Sequence, residues 1–80
     1  MEIENWRIEE DALVREFIFD NQTALAEFVL RVAKYSDEVN HHADMQISEC
    51  RKLQLSITTH DEKGLTPLDF DWAKGLNERI

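Results

Sequence analysis

Apolar positions along the chain change their spacing several times, and each change marks an element. In "NWRIEE" (residues 5–10) Trp6 and Ile8 alternate with Arg7 and Glu9, the two-residue period of a short strand. After the polar "EED", the run "ALVREFIF" (12–19) puts Leu13, Phe17 and Phe19 on one side and Val14, Glu16 and Ile18 on the other. Aromatic and β-branched residues of this kind favour a strand, and the short gap makes it the hairpin partner of the first. From about Asn21 to Asn40 the period lengthens to that of a helix, with Leu25, Phe28, Val29, Val32, Ser36 and Val39 on one stripe and Glu27, Arg31, Lys34 and Asp37 off it. Asp20 or Asn21 can cap its entry. Two further alternating runs, Met45 and Ile47, then Leu53, Leu55 and Ile57, predict a second hairpin joined near Cys50 and Arg51.

The last stretch, "LTPLDFDWAKGLNERI", is written as a helix start in several agreeing ways. Thr66 suits the N-cap, Pro67 the first helical position, and Asp69 the third, where its carboxylate can reach back to the cap; Leu65 and Phe70 stand at the two positions of a hydrophobic staple. Gly75 is expected to weaken the interior of this helix by roughly 1 kcal/mol relative to alanine. The order strand, strand, helix, strand, strand, helix predicts an α+β fold: a four-stranded antiparallel sheet with both helices packed on one face. Repeats, linkers and low-complexity segments are absent, so residues 1–80 read as a single domain. The other sheet face, with Val14, Ile18 and Cys50 among short polar residues, is only partly apolar.

Composition narrows what such a domain can do. Apolar residues make up 42% of an 80-residue chain, enough for a globule but for a small core, so self-association as a homodimer or homotetramer is expected. The net charge of −8, with no Lys/Arg cluster, would repel a phosphate backbone and argues against direct nucleic-acid binding. No apolar run approaches a bilayer span, and the acidic start "MEIENWRIEE" is unlike a secretory signal. The expectation is a soluble, cytoplasmic protein with no membrane partner. Cys50 is the single cysteine and cannot close an internal disulfide, which fits a reducing compartment; with no base argued beside it, a small buried packing role is expected.

The candidate chemistry lies in "DEVNHHAD" (37–44) and "TTHDEKGLT" (58–66), which hold all three histidines. Adjacent side chains diverge by about 100° in a helix and about 180° in a strand, so His41 and His42 can converge only where the backbone leaves a regular element. That places them just past the last turn of the first helix. Asp37 lies four residues before His41, within reach of its imidazole if the last turn holds. His60 ends the fourth strand. Asp37, His41 and His60 could in principle ligate a metal around an open position, but their spacing matches no recognised zinc pattern and no metal is expected.

Taken together these residues resemble the pterin-4a-carbinolamine dehydratase family. The resemblance rests on an acidic residue four before "HH", then "TTHD", then "GLT" followed by an aspartate and a final helix, with the early Trp6, the "REFIF" strand and the "FVLRVAKYSDEVNHHAD" helix in support. It covers nearly the whole chain, which resembles a short version lacking the usual N-terminal helix. Within the chain, Asp37 stands where glutamate is usual, Ala43 replaces a usual proline and Cys50 a usual aromatic. The resemblance implies His41, His42 and His60 as the catalytic set, with His41 and His60 as acids on the two faces of the ring and His42 mainly binding. It further implies Asp37, Thr58 and Thr59 as substrate-binding groups. Asp69 also belongs to the family pattern, and is read here as the helix cap.

The implied reaction converts 4a-hydroxytetrahydropterin to quinonoid dihydropterin and water. A ring nitrogen lone pair can expel the hydroxyl at C4a, so the enzyme supplies a proton to the departing oxygen and holds the ring; neither metal nor redox cofactor is required. Histidine suits the task because its unperturbed pKa is about 6.5. The alternative implied by the same family is a non-catalytic dimerisation or assembly cofactor for a protein partner.

Overall fold

The computed structural model describes residues 3–59 and 64–80. Strands β1 (Arg7–Glu9) and β2 (Ala12–Ile18) precede helix α1 (Gln22–Val39), followed by strands β3 (Asp44–Ser48) and β4 (Lys52–Ile57) and helix α2 (Pro67–Arg79). The sheet is antiparallel in the order β1-β2-β4-β3, so the two hairpins meet through β2 and β4. This is the α+β fold that the period changes predict. The strand order places the two most apolar strands at the centre, where both edges are paired.

The register explains which side chains reach the helices. Leu13 lies opposite Ile57, Arg15 opposite Leu55 and Phe17 opposite Leu53, and residues directly opposite share a face. Leu13, Leu53, Leu55 and Ile57 of that face pack with Leu25, Phe28, Val32 and Tyr35 of α1 and Trp72, Ala73 and Leu76 of α2. Arg15 is the polar member of the inner face. Its guanidinium lies 4.4 Å over the Phe17 ring and donates to Asn77 Oδ1 at 2.7 Å; burial lowers its pKa from the ordinary value. Trp6 donates from its indole nitrogen to the same oxygen at 3.0 Å, tying the start of the chain to α2.

Several expectations meet the structure differently. Tyr35 is buried although it lies off the anticipated stripe, and Val39, on that stripe, is 43% exposed because it stands in the last turn of α1. Met45 and Ile47 do share the inner face, opposite Leu55 and Leu53, yet every residue of β3 is exposed. An alternating pattern names a face, and β3, at the sheet edge, is left uncovered there. Ile8 on the other edge strand is likewise exposed. Cys50 is exposed rather than packed: it lies with Glu49 and Arg51 in the β3–β4 connection, where Glu49 and Cys50 both adopt positive φ (50° and 56°). Among the described residues, no helix is long and apolar enough to cross a membrane.

Candidate functional site

The site is built where three element ends meet: the C-terminus of α1, the end of β4 and the N-terminus of α2. Helix α1 closes on Asn40, in the left-handed conformation (φ 55°, ψ 41°), with the backbone N–H groups of Asn40 and His41 both donating to the carbonyl of Ser36. This is a Schellman-type ending, and asparagine tolerates the left-handed conformation better than most residues. The turn it makes separates the two histidines.

His41 runs towards α2. Its Nε2 stands 2.7 Å from Oδ1 of Asp69, a carboxylate with no exposed surface, while the imidazole itself keeps 20% of its side-chain surface open. His42 turns the other way, back over the helix end, and its Nε2 lies 2.7 Å from Oδ1 of Asp37; both of these side chains are exposed. The expected pairing of Asp37 with His41 is therefore replaced by two separate pairs. Four-residue spacing brings groups together only while the helix continues, and Asn40 ends it first.

Asp69 does more than cap α2. Thr66 and Asp69 form the capping box, with Oδ2 accepting the Thr66 backbone N–H at 2.9 Å. The same oxygen accepts the Thr59 hydroxyl at 2.8 Å, and Thr59 Oγ1 lies 2.8 Å from Thr66 Oγ1. Both carboxylate oxygens are thus engaged, as a buried ionisable group requires. Thr59 is held in place by paired backbone hydrogen bonds with Gly64 (3.2 and 3.4 Å). The sequence reading captured the cap and missed the histidine contact; the signal was an aspartate at the third helical position beside a partly buried staple of Leu65 and Phe70.

Of the other expected groups, Thr58 turns its hydroxyl to the carbonyl of Asp11 at 2.8 Å, away from His41. His60 lies outside the described residues. Among the described residues, no three His, Cys, Asp or Glu side chains gather as metal ligands. Beside His41 opens a cleft of about 130 Å³, walled by Tyr35 and Trp72 and flanked by Val39, Leu68 and Asp71. Small-molecule pockets usually exceed roughly 300 Å³, so this cleft would take part of a planar ligand rather than enclose it. An open imidazole edge beside an apolar wall, with its other nitrogen fixed by a buried carboxylate, is equipped to hand a proton to a bound ring.

The chain is similar to known proteins over nearly its whole length. The profile of the family described as pterin 4 alpha carbinolamine dehydratase matches residues 1–79. A provisionally named pterin-4-alpha-carbinolamine dehydratase of Sulfolobus acidocaldarius is 38% identical over 77 residues, covering 96% of this chain and 84% of that protein. One of Thermomicrobium roseum with the same provisional name is 39% identical over 77 residues, covering 96% and 82%. The fold also matches the crystal structure of a transcriptional coactivator/pterin dehydratase from Brucella melitensis, with a TM-score of 0.82 at 25% identity over 94% of this chain and 81% of that one. The chain belongs to the pterin 4 alpha carbinolamine dehydratase family, whose name is that of a hydro-lyase reaction.

Proposed function

We propose that this protein dehydrates 4a-hydroxytetrahydropterin to quinonoid dihydropterin, with His41 as a proton donor to the departing hydroxyl. The observation that carries the reading is the contact between His41 and the buried Asp69. A free imidazole on a surface samples many orientations; one anchored through Nε2 presents its other edge in a fixed direction, and such positioning lowers the barrier. In the reaction the C4a–O bond breaks as the oxygen takes a proton and leaves as water. The ring nitrogen supplies the electron pair, and the resulting iminium loses its N–H proton to give the quinonoid product.

His42, paired with Asp37 on the exposed side of the helix end, is assigned to binding, as the family resemblance implies. His60, one residue beyond Thr59, is assigned by the family resemblance as the second acid. Trp72 and Tyr35 offer the aromatic wall of the cleft, and Val39 and Leu68 its exposed apolar rim. The chemistry needs no electron transfer and no Lewis acid, because the substrate carries its own electron-donating nitrogen.

A direct assay decides the matter: the purified chain is added to chemically generated 4a-hydroxytetrahydropterin and quinonoid product is followed against the spontaneous rate. Acceleration that saturates with substrate is expected. A rate equal to the uncatalysed background would overturn the proposal.

A second reading, a protein that assists assembly of a partner, is favoured by one observation: the Brucella melitensis relative is described as both coactivator and dehydratase. The uncovered edge strand β3, with Ile47 52% exposed, offers a surface for such a role. Substituting His41 would then leave association intact.

A further inference from the structure

The hydrogen bonds around Asp69 have a direction, and that direction selects an atom of His41. Oδ2 receives the Thr66 backbone N–H and the Thr59 hydroxyl, and Oδ1 faces His41 Nε2 at 2.7 Å. A carboxylate accepts at both oxygens and has no proton to give, so in the contact with His41 the ring nitrogen Nε2 is the donor. Thr59 has a single hydroxyl proton and directs it to Asp69. In its 2.8 Å contact with Thr66 Oγ1 it therefore accepts, and Thr66 donates.

We infer that Thr66, Thr59 and Asp69 form a one-way chain of hydrogen bonds that fixes neutral His41 as its Nε2–H tautomer, leaving Nδ1 as the atom that exchanges the catalytic proton, with Thr59 a positioning residue. The catalytic part of this rests on the dehydratase reading; the tautomer does not. When His41 is protonated, Nδ1–H gives its proton to the C4a hydroxyl, the C–O bond breaks and water leaves. Nδ1 is left with a lone pair, and the proton shed by the ring nitrogen or by solvent restores it.

Thr59 matters because the carboxylate has no exposed surface through which solvent could replace a lost donor. With the hydroxyl removed, Oδ2 keeps only the backbone N–H, the carboxylate is free to turn about its Cβ–Cγ bond, and Oδ1 no longer faces Nε2 in one fixed direction, so the Nε2–H tautomer loses its selection. The Thr59 hydroxyl, which the family resemblance places at the substrate, is thereby occupied inside the protein.

Long-range ¹H–¹⁵N correlation of the histidine rings in the full, ¹⁵N-labelled chain tests this directly at a pH where the rings are neutral. His41, assigned by loss of its signals in His41→Ala, should show a pyrrole-type Nε2 and a pyridine-type Nδ1. Thr59→Val should produce a mixture of tautomers and lower kcat by roughly tenfold with little change in KM, and Thr59→Ser should restore both. A parent His41 carrying its proton on Nδ1, or a folded Thr59→Val with an unaltered tautomer, would overturn the inference. If Thr59→Val does not fold, the parent spectrum alone decides. An inactive chain with the expected tautomer would sink the dehydratase reading and leave the hydrogen-bond chain standing.

Discussion

Tyr35 Oη donates to the backbone carbonyl of Trp72 at 2.8 Å where α1 meets α2, and it passes through the space that a side chain at position 75 would fill. A β-carbon on Gly75 would overlap the Tyr35 hydroxyl. The glycine that looks like a weakness in an isolated helix is thus what lets the two helices be joined at this point.

Gly75→Ala should accordingly destabilise the protein, against the helix-propensity gain of about 1 kcal/mol. Overpacking costs about 1–3 kcal/mol and a displaced hydrogen bond about 1 more, so a net loss on the order of 1–3 kcal/mol is expected. Urea unfolding of Gly75→Ala, Tyr35→Phe and the double variant forms a cycle. The penalty of Gly75→Ala should shrink once the hydroxyl is gone; equal penalties in both backgrounds would refute the account.

Burial raises the pKa of Tyr35, and its neutral form is the one that donates to Trp72. A group whose folded pKa lies above its unfolded value contributes stability that is fully present below the unfolded value, about 10, and is lost as pH rises through the folded one. Thermal unfolding should therefore show an alkaline decline beginning near pH 10. The decline should be shallower in Tyr35→Phe, and an identical slope in that variant would assign the effect to other groups.

The edge strand β3 exposes all five of its residues, including Ile47 at the inner face, and an uncovered edge invites pairing with another chain. Sedimentation at tens of micromolar is expected to give a mass above that of one chain. Ile47→Lys, which places a charge on that edge, should shift the distribution towards monomer. A monomeric parent would remove the basis for this expectation.

The histidines should separate by role. Replacing His41 or His60 with alanine should lower the dehydration rate by roughly 10²-fold or less, and replacing both should cost more than either alone. His42→Ala should act chiefly on KM. A double variant of His41 and His60 that remains folded by circular dichroism and turns over at the parent rate would contradict proton donation by this pair.

Local physics made much of this protein legible in advance. Two-residue and 3.6-residue periods depend only on where side chains point from the backbone, so all six elements were readable, as was the capping box of Thr66 and Asp69, which spans three residues. The sequence also put His41 and His42 just past the last turn of the first helix, where the apolar stripe from Leu25 to Val39 runs out. What it left undecided were questions whose answers lie between elements. Whether Met45 and Ile47 are covered depends on how far the helices extend over the sheet, which alternation does not encode. Which carboxylate holds His41 depended on a single backbone conformation at Asn40: the left-handed turn carries His41 away from Asp37, four residues before it, and onto Asp69, 28 residues after it. Tertiary packing decided that pairing because a buried carboxylate needs partners from whichever elements surround it, and here those are the ends of α1, β4 and α2.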